Sequence, residues 1–206
     1  SNVGMVMRPD LFDSHSIHWH GFPQAATVFD GEPEASLGTT AGASFTYYYN
    51  VKEPGTYLYH CHVEATEHMQ MGMLGNLYVR PKQDKLPAGT LLGAYVHQTG
   101  DTYAYNDGDG STRYDVAFPI QIATMDRKFH EASEGVQPLP FAGMRDTYFL
   151  LNGRGYPDTV DPLPMQTVDF LGKTHTSQPI SSLIQANAGE RILLRISNVS
   201  VTEFLT

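Results

Sequence analysis

Three segments of the sequence carry side chains that ligate metals: His15-Ser-Ile-His18-Trp-His20-Gly21, then His60-Cys61-His62, then His68 and Met73. In an extended strand, successive side chains point to opposite faces. His60 and His62 therefore share one face, and Cys61 takes the other. His18 and His20 share a face, while His15, an odd number of positions from both, faces the opposite way. Two groups emerge: His15, Cys61, His68 and Met73, and separately His18, His20, His60 and His62.

The first group has the donor types of a blue copper site, two imidazoles, a thiolate and a weak axial thioether. Seven positions separate Cys61 from His68 and five separate His68 from Met73, so a short loop can wrap one ion. The second group is four imidazoles on one surface, which suits copper and suits more than one ion of it. Any one of these histidines alone could be a surface residue or a satisfied core residue; it is the full set that points to metal. Zinc also takes Cys and His, but a thiolate with an axial Met favours copper. Cys61 is the only cysteine, so no intrachain disulfide can form. A lone Cys is usually a small buried residue, a reading its two histidine neighbours disfavour.

Elements must hold these groups in place. Segments Ser44–Val51, Gly55–Val63, Gly75–Arg80, Thr90–His97 and Arg191–Ile196 read as short strands bounded by turn residues. Helical periodicity is scarce; one short turn is expected near Glu64–Met69, where Glu64, Ala65 and Glu67 suit a first turn. The pattern is all-β, with short strands packed as β-sandwiches. The 206 residues suffice for one large or two small domains. We expect a first domain over 1–80, a polar, Pro-bearing linker over 81–89, and the N-terminal part of a second domain over 90–206. Ser1-Asn2-Val3 matches Ser197-Asn198-Val199 near the other end, and a strand-like segment precedes only the second copy. The chain is thus expected to run from inside one sandwich to inside the next, as a fragment of a longer one.

Composition narrows the partners. The net charge is −9, which disfavours nucleic acid and anionic membranes and tolerates cationic substrates. No apolar run approaches the ~18 residues of a membrane helix, and no basic, apolar, then small-residue segment opens the sequence. Glu64 and Glu67 beside His68 could attract a cation, although acidic side chains are commonly just solvated. Met5, Met7, Met69 and Met71 could hold Cu(I), but they read more readily as core filler. His97, His130 and His175 are scattered and take no metal assignment.

The His-x-x-His-x-His-Gly and His-Cys-His segments, followed by His68 and Gly72-Met73, resemble the copper motifs of the multicopper oxidase family, of Greek-key cupredoxin fold. The likeness is specific over Val3–Arg80. It is looser beyond Leu86, where Ala123-Thr-Met-Asp126, Leu151-Asn-Gly153 and Ala188-Gly-Glu-Arg191 are similar to the start of a following cupredoxin domain. The resemblance implies that one sandwich is largely complete and the second partial. It implies type 1 copper ligands at His15, Cys61, His68 and Met73, a type 2 ligand at His18, and type 3 ligands at His20, His60 and His62. Phe29-Asp30-Gly31 resembles a family segment whose Asp assists proton delivery, making Asp30 a catalytic candidate; a plain turn Asp before Gly is the alternative.

By the same resemblance, electrons from a small-molecule or metal-ion reductant would enter at type 1 copper and reduce dioxygen to water at a trinuclear cluster. The implied location is periplasmic or extracellular. A trinuclear site takes about eight histidines in that family and this chain offers four, so the rest would come from a homo-oligomer, a trimer being favoured, or from further cupredoxin domains. The pattern departs from three-domain laccases, where the blue site lies in the last domain, and is closer to two-domain laccases with a type 1 site in the first. The Cys61–His68 gap is also longer than in most laccases. Two alternatives stand: copper nitrite reductase, whose position matching His18 is Asp and whose position matching His62 is not His, and a blue-copper electron carrier, which would leave four histidines unexplained.

Overall fold

The computed structural model describes residues 14–22, 26–40, 42–135 and 137–202. The match between Ser1–Val3 and Ser197–Val199 lies partly outside them, as do Met5 and Met7. In chain order the elements are β1 (His18–His20), β2 (Gly55–His60), α1 (Ala65–Gln70), β3 (Leu74–Val79), β4 (Leu91–Leu92), β5 (Tyr95–Val96), β6 (Thr102–Tyr103), β7 (Arg113–Tyr114), β8 (Val116–Met125), α2 (Arg127–Glu134), β9 (Tyr148–Leu151), β10 (Met165–Val168), β11 (Thr174–Ser177) and β12 (Ile192–Asn198). The fold is mostly strands in several small sheets.

Strands β1, β2 and β3 form an antiparallel sheet with His18 opposite His60 and His20 opposite Leu58. This register puts His18, His20 and His60 on one face. Trp19, Tyr57 and Tyr59 take the other, where the Trp19 ring meets Tyr59 at 5.0 Å and Tyr49 at 4.8 Å. Cross-strand aromatic pairs of this kind fix register as well as adding stability.

In the second sheet β12 runs parallel to β8, and β9 pairs antiparallel on the other side of β8. Alternation along β12 gives its two faces different tasks. Arg195 and Ser197 are buried: Arg195 stacks over Tyr78 at 5.2 Å and reaches Thr56 Oγ1, while Ser197 donates to Asn76 Oδ1 at 2.7 Å. The second sheet is thereby fastened to β2 and β3 by polar contacts. Ile192, Leu194 and Ile196 are exposed, in register with Val116, Phe118 and Ile120. That apolar face is the side a second sheet covers in a sandwich.

Several strand expectations are corrected. Residues 44–51 form no hydrogen-bonded strand; their tyrosines pack as rings, Tyr47 on Tyr49 and Phe45, and bond to loop backbone instead. The run 90–97 is a hairpin of two short strands, because Gly93 turns it between β4 and β5. The second strand stops at His60 rather than Val63, where Cys61 turns out of the sheet. Helix α2 was not expected; Asp126 caps it by accepting from the Lys128 and Phe129 amides. Within 81–89 a short 3-10 turn spans Lys82–Lys85, and Gln83 is buried with its amide on Asp107 Oδ1 at 2.7 Å, while Pro87, Ala88 and Gly89 are exposed.

Candidate metal centre

Two clusters of ligand side chains flank the end of β2. On one side lie His15, Cys61 and His68, whose donor atoms fall within 4.8 Å of one another. Cys61 Sγ is 3.2 Å from His68 Nδ1 and 3.9 Å from His15 Nδ1, and Cys61 is buried. His15 is set by a bridge to Thr39, with bonds of 2.8 and 2.7 Å in the two directions.

A closed loop carries the other two members. Glu64, in the left-handed conformation, starts α1, and the His68 amide donates to the Glu64 carbonyl. After Gln70 the chain reverses through Gly72, whose φ of +84° suits glycine. Met73 N–H then donates to the His68 carbonyl at 2.9 Å, and the Met73 carbonyl receives Cys61 N–H at 3.0 Å. Backbone bonds thus join Cys61, Met73 and His68 in series. Met73 also lines, with His15, Phe45 and Tyr47, a cavity of about 360 Å³. A cysteine and two imidazoles brought together, with a thioether on the adjoining loop, fit copper by donor chemistry.

On the opposite side stand His18, His20, His60 and His62. The His18 ring lies 5.6 Å from His20, 5.4 Å from His60 and 5.0 Å from His62, and the His60 and His62 rings stack at 5.5 Å. Donor atoms of His18, His20 and His60 approach within 4.8 Å, as do those of His18, Glu32 and His62. Burial lowers the pKa of His60, the Cys61 carbonyl bond opposes this, and the neighbouring histidines lower it further. A neutral imidazole is the form that ligates. His60 is buried, His18 and His62 are half-buried and His20 is exposed.

The surrounding loop orients these rings. His18 Nδ1 donates to the Asp30 carbonyl at 2.7 Å, which leaves Nε2 with a free lone pair. His60 Nδ1 donates to the Cys61 carbonyl at 2.9 Å, which turns its Nε2 toward His20 Nδ1, 3.2 Å away. The Asp30 carboxylate is 3.7 Å from His18 Nδ1 and partly exposed. Ser16 Oγ donates to the Gly31 carbonyl at 2.6 Å and accepts from His62 N at 3.3 Å, tying both histidine segments to this turn.

Sequence reasoning did not single out Glu32 or Ser16. Glu32 Oε1 lies 3.3 Å from His62 Nε2. The Asp30-Gly31-Glu32 string held a signal, because a Gly between two acids marks a turn that could bring both toward one place. Glu67 is buried rather than presented to solvent, and Met71 is exposed. Of the scattered histidines, His97 is buried against the Tyr103 hydroxyl at 2.8 Å and His175 pairs with Asp169 at 2.8 Å on the β10–β11 hairpin.

Comparison with known proteins gives a family match over part of the chain. Residues 2–84 match the family described as multicopper oxidase. Laccase-1 of Emericella nidulans is 37% identical over 87 residues, covering 41% of this chain and 14% of the laccase. The fold resembles the blue copper oxidase of Nitrosomonas europaea, with a TM-score of 0.57 and 21% identity over 92% of this chain and 45% of that one. A copper nitrite reductase of Nitrosomonas europaea superposes with a TM-score of 0.53 and 20% identity, over 93% of this chain and 50% of that one. At such identities these two likenesses are of fold, and the chain spans half or less of each of these three proteins. Over residues 2–84 the chain is similar to the multicopper oxidase family.

Proposed function

We propose that this chain is the electron-entry half of a laccase-like oxidase, which couples one-electron oxidation of a reductant to the four-electron reduction of dioxygen to water. One observation carries the reading. Cys61 joins His15 and His68, while its neighbours His60 and His62 join His18 and His20 on the other side. Adjacent residues on one strand end thus connect two ligand sets. A second link runs from the Cys61 carbonyl to His60 Nδ1 at 2.9 Å.

Copper, when bound, supplies the one-electron steps. His15, Cys61, His68 and Met73 would hold the type 1 ion, His18 the type 2 ion, and His20, His60 and His62 their share of the type 3 pair. Cys61 collects the electron and passes it through its own backbone and carbonyl to His60 and His62. Asp30 is our candidate for proton delivery, since its carbonyl orients His18 and its partly exposed carboxylate lies beside the same ring.

The four histidines are half of a trinuclear site. We assign the missing half to a second cupredoxin domain, in a homotrimer or further along a longer chain. We divide the chain at 81–89, with the first cupredoxin domain before it and part of a second after it. The reductant is a small molecule such as a phenol, or a low-valent metal ion, and the setting is the periplasm or the cell exterior; no helix among the described residues is long and apolar enough to cross a membrane. The nitrite reductase reading is weaker, since His18 and His62 stand where that family has other residues.

Substituting Cys61→Ser tests the proposal. Thiolate-to-copper charge transfer gives the blue colour, so the variant is expected to lose the blue band and its turnover of any reductant. A surviving blue band would contradict the type 1 assignment.

A further inference from the structure

We infer that Glu32, His18 and His62 form a carboxylate-bearing site that holds one divalent transition-metal ion on this chain alone, before any second histidine surface covers the face. The donor atoms of the three residues lie within 4.8 Å of one another. His62 Nε2 and Glu32 Oε1 are 3.3 Å apart. Bonds of about 2.0–2.1 Å to a tetrahedral ion put neighbouring donors about 3.3 Å apart. The third donor, from His18, lies within 4.8 Å of both.

The site is built rather than incidental. A Cβ on Gly31 would stand 2.2 Å from the Ile17 carbonyl oxygen, so only glycine lets this turn press against the entry to β1. Both sides of that contact are then bonded. The Asp30 carbonyl holds His18 Nδ1, and the Gly31 carbonyl holds the Ser16 hydroxyl that also receives His62 N. The Glu32 carbonyl accepts from the Ala35 and Ser36 amides at 3.0 and 2.8 Å, which fixes the backbone behind the carboxylate. His62 and Glu32 are partly exposed, giving an ion a path in.

Two imidazoles and one carboxylate suit a borderline ion such as Zn(II), Co(II) or Cu(II), with remaining positions open to water. The carboxylate adds charge that neutral histidines lack, and so gives the half site affinity of its own. Docking of a second histidine surface would draw His18 and His62 to separate ions and release Glu32. That later exchange rests on the oxidase reading; the three-residue site does not.

The test is a cobalt(II) titration of the 206-residue chain. Cobalt at Cys61 is marked by a strong near-ultraviolet thiolate band, and cobalt at the three-residue site by weak visible bands alone. We expect the Glu32→Gln and His62→Ala variants to bind the second cobalt about ten-fold or more weakly, with the thiolate band unchanged as a check on folding. His175→Ala, on the β10–β11 hairpin away from both clusters, is expected to bind it as the unaltered chain does. Unchanged affinity in Glu32→Gln, or uptake of thiolate-bound cobalt only by the unaltered chain, would overturn the proposal. Neither outcome alters the copper content of the intact protein, which tests the oxidase reading separately.

Discussion

Gln70 donates from Nε2 to Asp146 Oδ1 at 2.8 Å, a buried bond between residues 76 positions apart. Its other amide atom, Oε1, accepts from Asp126 N at 3.0 Å. Gln70 is the last residue of α1, two positions after His68, so the loop that carries the thiolate's partner is pinned to the end of β8. Gln70→Ala leaves the Asp126 amide unpaired in a buried place. We expect it to destabilise the chain by about 1–3 kcal/mol, read from denaturant unfolding, and to shift the blue band through a loosened His68.

Asp146 makes the same junction sensitive to acid. Burial pushes its carboxyl pKa up, but hydrogen bonds from Thr124, Thr202 and Gln70 outweigh this and hold it below the usual range. A lowered folded pKa contributes stability above the unfolded value of about 3.9, and that contribution is lost as pH falls through the folded value. Unfolding free energies measured from pH 5 to pH 2 are expected to fall less steeply in Asp146→Asn. Parallel curves would show that Asp146 carries none of the acid sensitivity.

The two ligand faces were legible because they follow from alternation along a strand and from residue type, which are local. Cys61 lies one residue beyond the end of β2, yet parting from His60 and His62 needs only one more extended step. What stayed hidden was non-local. Glu32 reaches His62 through a turn whose position depends on contact between Gly31 and Ile17. Gln70, one residue past the turn expected near Glu64–Met69, has its partners Asp126 and Asp146 far along the chain. The run 44–51 alternates like a strand, but its rings pack on Trp19 and Phe29 and its backbone joins no ladder.

Gly31 bears on the whole histidine face. Gly31→Ala places a methyl group against the Ile17 carbonyl and strains a backbone at φ +81°. We expect a stability loss of more than about 1 kcal/mol and weaker copper retention on the histidine face, with the blue band kept. Calorimetry and copper analysis after dialysis check both parts. Retention equal to the unaltered protein would mean that the turn does not position His18.

The most direct measurement is the copper content of the intact protein together with its His18→Ala variant. The central claim is that Cys61 and the four-histidine face serve one oxidase. It requires four copper ions per complete catalytic unit, one of them blue, and a His18→Ala variant that keeps the blue band while its dioxygen consumption collapses. One copper per unit would indicate an electron carrier and two a nitrite reductase. Either count, or normal dioxygen consumption in His18→Ala, would contradict the account.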